Sequence, residues 1–100
     1  MFGTIGHVRI KDGHDAQMQS HMDEWKTTIR PMIPGSFLNL FGNAAGRPGE
    51  KVFVALAQDE ATYRSLAAMP EQDAWFRGML DHTEGEPTWE DVEMEYEFLE

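Results

Sequence analysis

One hundred residues give room for one ordinary domain and not two. With 41% hydrophobic and 26% charged residues, the composition is that of a folded domain with a modest core. The formal net charge of -10 repels phosphate backbones and anionic membrane surfaces, so neither nucleic acid nor membrane is an expected partner. The absence of cysteine excludes disulfides, thiolate metal sites and cysteine nucleophiles. No apolar run has the length of a membrane span and the N-terminus lacks a signal-peptide pattern, so a cytoplasmic location is the expectation.

A first strand is expected over residues 2–10, carried by β-branched Ile5, Val8 and Ile10, and Lys11-Asp12-Gly13-His14 breaks it. Asp15 reads as the N-cap of a helix running to about Arg30. Met18, Met22, Trp25 and Ile29 follow one another by four, three and four residues, which places them on one helical stripe. Pro31 ends or kinks the last turn, and Pro34-Gly35 is a turn. A second strand is expected over residues 36–41, a polar hairpin loop over 42–49, and an almost wholly apolar third strand over 51–57. Asp59 then caps a second helical region, and Pro70 divides it in two. Its later half carries Trp75, Phe76, Met79 and Leu80 on one face, and Gly85 and Pro87 close it. The last strand is expected to alternate, with Val92, Met94, Tyr96 and Phe98 facing one way and Glu93, Glu95 and Glu97 the other. Leu99-Glu100 has the form of a vector-derived tail, which leaves a single domain over residues 1–98.

Two strand–helix–strand units in this length predict an α+β fold, a four-stranded antiparallel sheet with both helices on one face. Phe37 and Phe41 point opposite to Leu38 and Leu40, while Val52, Val54 and Leu56 oppose Phe53, Ala55 and Ala57. Both faces of the sheet are therefore apolar, and the helices cover only one. A second copy of the chain is the expected cover for the other, making a homodimer.

The element order, the opening strand through Arg9, the Trp25…Pro31…Pro34-Gly35 stretch and Pro70-Glu71-Gln72-Asp73-Ala74-Trp75-Phe76-Arg77 together resemble one family. It is the antibiotic biosynthesis monooxygenase family, of the ferredoxin-like dimeric α+β barrel group, and the resemblance spans residues 2–98. It implies two four-stranded sheets packed face to face, with a pocket in each monomer between sheet and helices. Members of that group include oxygenases of polyphenolic substrates that use neither metal nor flavin, relatives that degrade haem, and many with no known activity, so the resemblance implies no single reaction. The haem-degrading branch uses an Asn on the first strand with a Trp and a His on the second helical region. Here His7 stands on the first strand, Leu66 occupies the earlier half of that region, and Trp75 and His82 are spaced differently, which counts against haem.

His7 lies on the strand face opposite Val8 and Ile10, and if that face lines the pocket its imidazole is a general base for a phenolic proton. The plainer reading is a hydrogen-bonded histidine near a sheet edge. Trp75, Phe76 and Met79 form an aromatic wall for a planar ligand, with Trp25 and Met22 opposite; the plainer reading is that both stripes are core. His82, at the end of the second helical region, is either a proton shuttle at the pocket mouth or a solvent-exposed C-terminal histidine. Tyr63 and Asn39 are candidate hydroxyl and amide donors, and Arg77 is expected to pair with Glu71 or Asp73.

No metal site is expected: His14 and His21 are seven apart, His21 and Glu24 three apart, and no third ligand follows. No glycine-rich phosphate loop and no serine elbow is present, and no cofactor is expected. Two functions follow. One is a cofactor-independent monooxygenase of a small aromatic or polyketide-like compound; the other is a non-catalytic dimeric module binding a small hydrophobic ligand or a protein partner.

Overall fold

Alternation sorts each strand's side chains onto two faces, and the pairing register decides which face the helices cover. The structure is a computed structural model describing residues 1–100. Its strands are β1 (Phe2–Arg9), β2 (Phe37–Asn43), β3 (Glu50–Ala57) and β4 (Thr88–Glu93), and its helices α1 (Asp15–Thr28), α2 (Glu60–Ala67) and α3 (Pro70–Leu80). The sheet order is β2-β3-β1-β4 with every neighbouring pair antiparallel. This is the ferredoxin-like α+β arrangement that the two strand–helix–strand units predict. No helix is long and apolar enough to cross a membrane.

The helices cover the face carrying Thr4 and Val8 of β1, Ile10 just beyond it, and Phe53 and Ala57 of β3, all of them buried. Val8, Ile10, Met18, Phe53 and Met79 pack into one cluster, and Trp25, Ile29, Ile33 and Leu66 into a second. The α1 stripe is thus core at Met18, Trp25 and Ile29, as its spacing predicts. Asp59 caps α2 by accepting the backbone N–H of Thr62 at 2.8 Å, and Pro70 opens α3 as its first residue.

Several boundaries differ from expectation. β1 stops at Arg9, and Ile10 forms an isolated bridge to Thr83. His14, not Asp15, is the N-cap of α1, and no side chain caps that end. The helix closes at Thr28, where a 3₁₀ turn over Arg30–Met32 takes Pro31 into its first turn. β2 runs on to Asn43, and α3 ends at Leu80, before Gly85 and Pro87.

The largest correction concerns the last strand. It spans Thr88–Glu93; beyond it Met94 donates its N–H to the carbonyl of Met1 at 2.8 Å, and Glu97 lies 3.8 Å from the Met1 amino group. The ladder with β1 ends at the Phe2–Glu93 pair. Tyr96 and Phe98 consequently stand 84% and 72% exposed despite their alternation.

Candidate functional site

A cavity of about 360 Å³ lies between the helix-covered face of the sheet and α1, α2 and α3. That volume suits a small organic molecule. Twelve of its 16 lining residues are hydrophobic, so polar recognition rests with very few groups.

All three tryptophans line it. Trp25 donates its indole N–H to Oε1 of Gln72 at 2.7 Å, and Trp75 donates its own to the carbonyl of His21 at 2.8 Å. These bonds satisfy the polar edges at the α1–α3 crossing and leave apolar ring surface for the cavity. Phe37 meets Trp25 at 5.1 Å between ring centroids. Trp89 stands between Phe53 and Phe76, at 6.1 and 6.0 Å.

The other four lining residues are Thr4, Asn39, Gln72 and Asp73, and Tyr63, counted among the twelve hydrophobic ones, adds a phenol hydroxyl. Thr4 is committed to the carbonyl of Glu90. Tyr63 donates to Oδ1 of Asp91 at 3.2 Å, and Arg64 holds the other oxygen of that carboxylate at 3.1 Å. Burial, reinforced by the Asp91 charge, pushes the Tyr63 phenol above its ordinary value, so it stays neutral at physiological pH. Asp73 is exposed and paired with Arg77 at 3.0 Å, one of the two partners expected for that arginine.

Trp75, Phe76, Met79, Trp25 and Met22, expected from the sequence as a ligand wall, and Asn39 and Tyr63, expected as donors, all line this cavity. The two histidines do not. His7 shares the uncovered face with Ile5 and Arg9, because the cavity takes Thr4 from the opposite face of the same strand. It sits 3.2 Å from Glu50, whose Arg47 partner holds the carboxyl below its usual value, with a smaller contribution from His7 itself. His82 lies in the turn after α3, against His14 and outside the cavity lining. A base role inside the cavity therefore falls for both.

Trp89 escapes the sequence reading. Its signal is Gly6, a glycine inside a strand, which marks a close approach. Gly6 pairs with Trp89, and a Cβ there would come within 2.3 Å of the indole.

No family model and no curated protein matches the chain. Solved structures do. An antibiotic biosynthesis monooxygenase superposes with a TM-score of 0.72 at 17% identity, covering 94% of this chain and 98% of that one. A point mutant of SnoaB, a cofactor-independent oxygenase from Streptomyces nogalater, gives 0.75 at 12% identity, covering 97% and 95%. The chain has the antibiotic biosynthesis monooxygenase fold. A conserved protein from Methanosarcina mazei Go1 reaches 0.73 at 7% identity, covering 89% and 87%. The monooxygenase fold is thus shared well beyond recognisable sequence, and activity has to be argued from the cavity.

Proposed function

We propose that the cavity binds a small, flat aromatic molecule and that the chain oxidises it with molecular oxygen and no cofactor. The observation that carries this reading is the cavity's wall: three tryptophans, two of them with their indole N–H groups satisfied, together with Phe37, Phe53 and Phe76. The fold shared with a cofactor-independent oxygenase supports it.

With no imidazole in the cavity, the substrate has to be one that ionises readily once its anion is stabilised. The Asn39 amide is the donor suited to a developing oxyanion, since the Tyr63 hydroxyl is already given to Asp91. Such an anion is electron-rich enough to reduce oxygen itself. A methylene flanked by aromatic rings then becomes a carbonyl, the second oxygen atom leaving as water. Oxygen uptake with an anthrone, with mass spectrometry of the product, tests the reading: saturable uptake with one oxygen atom incorporated supports it.

A second reading rests on the missing base. The one carboxylate on the lining, Asp73, is exposed and engaged by Arg77, so the cavity holds no obvious proton acceptor. A non-catalytic binding module predicts saturable binding of the same anthrone with no oxygen uptake above the solution rate.

We further propose that a second copy covers the opposite face of the sheet. That face carries Ile5, Leu38, Leu40, Val52, Val54 and Val92, with Leu40 54% exposed, a row too apolar to face water across its whole width.

A further inference from the structure

Three of the four histidines gather away from the cavity, at the crossing of α1 with the turn after α3. His14 and His21 are seven residues apart, about two helical turns, so they share one face of α1. His82 docks against both, its ring centroid 5.4 Å from that of His14 and 5.9 Å from that of His21. The Nδ1 atoms of His14 and His82 share a hydrogen bond at 3.1 Å, so one of the two carries the proton between them. Two imidazole nitrogens bound to one zinc ion at about 2.0–2.1 Å and a tetrahedral angle stand roughly 3.3 Å apart. Replacing the shared proton with an ion requires only a small opening of the pair.

His21 adds an independent observation. Its Nε2 donates to the carbonyl of Trp75 at 2.7 Å, and its ring stacks on the Trp75 indole at 4.7 Å and 14°. Donation of one ring N–H to a backbone carbonyl is the arrangement that fixes the tautomer of a ligating histidine and frees the other nitrogen. Nδ1 of His21 is left with no partner nearer than Glu24, at 4.0 Å. His21, Glu24 and His82 line one open depression with Gln17 and Ser20. No three of these groups are gathered within bonding range as they stand, so His14 and His82 are the ligand pair and His21 is the nearest further donor.

We propose that His14 and His82 bind one divalent transition-metal ion, of the zinc, nickel or copper type, through their Nδ1 atoms. Imidazole ligands select these metals over magnesium and calcium, which favour oxygen. The ion ties the start of α1 to the end of α3. Through His21 stacked on Trp75, it sits behind one wall of the cavity.

Calorimetric titration of the untagged chain with zinc chloride tests this. One equivalent per chain is expected, no binding of magnesium chloride, and affinity at least tenfold weaker in both His14→Ala and His82→Ala. Addition of substoichiometric copper(II) to the native chain is the check that needs no variant. It should broaden the NMR ring signals of His14 and His82 while sparing His7, which lies on the opposite face of the sheet from the helices. Absence of saturable zinc binding, unchanged affinity in His82→Ala, or uniform broadening of all four histidines would overturn the proposal.

Discussion

The indole of Trp89 lies against the backbone of Gly6: a Cβ on that glycine would stand 2.3 Å from Cζ3 of the ring. The edge strand β4 thereby lays a large aromatic flat on the sheet floor, where it forms part of the cavity. Gly6→Ala should push the indole off that floor. Because a 41% exposed side chain can swing aside, the stability cost should be about 1–2 kcal/mol in urea unfolding. Ligand affinity should fall by roughly tenfold, as one aromatic contact is lost.

Gly3→Ala is the same substitution with a different outcome. Its Cβ would meet the carbonyl oxygen of Ala55 at 1.8 Å, in the ladder between β1 and β3 at the centre of the sheet. Backbone cannot swing aside. The variant should lose about 3 kcal/mol or more in the same urea measurement, beyond the usual range for an added methyl.

The helical half of the fold was legible because its signals are local. The α1 stripe follows from a 3.6-residue period, and the Asp59 cap and Pro70 break follow from single residues. Helix ends were less exact, with His14 and not Asp15 at the N-cap of α1, and the larger misses depend on distant chain. Met94, Tyr96 and Phe98 alternate like a strand, but a strand also needs a neighbour, and the ladder with β1 ends at the Phe2–Glu93 pair. Alternation places His7 opposite Val8 without saying which face the helices cover. The importance of Trp89 rests on a glycine 83 positions earlier, and the His14–His82 contact spans 68 positions. Local pattern carries neither.

The Asp59 cap makes stability depend on pH in a defined direction. Its carboxyl is held below the ordinary value, chiefly by the Thr62 backbone N–H and against the opposing effect of burial. A folded value below the unfolded one means the stabilisation is complete above the unfolded value and disappears as pH falls through the folded one. Asp59→Ala should therefore lower the thermal midpoint by a few degrees at neutral pH. The gap from the native chain should close in acid, below the ordinary aspartate range. A gap independent of pH would mean the side chain acts by something other than its charge.

Leu40→Glu tests the proposed pairing of two sheets. Leu40 is 54% exposed on the uncovered face, opposite Val54. A charge there costs the single chain little but meets apolar surface in a face-to-face dimer. Sedimentation should show a dimer for the native chain and a monomer for the variant, with the helical circular dichroism unchanged. A native monomer would remove the dimer proposal.

The most direct measurement uses the tryptophans themselves, since Trp25, Trp75 and Trp89 are the only three and all line the cavity. Titration with an anthraquinone, a redox-stable analogue of an oxidised aromatic product, should quench most of the emission along a saturable curve with one site per chain. The curve should shift to at least tenfold higher concentration in Trp75→Ala and stay in place in His7→Ala. Quenching that grows linearly without saturation, or an unshifted curve in Trp75→Ala, would show that the aromatic cavity is not where such a molecule binds.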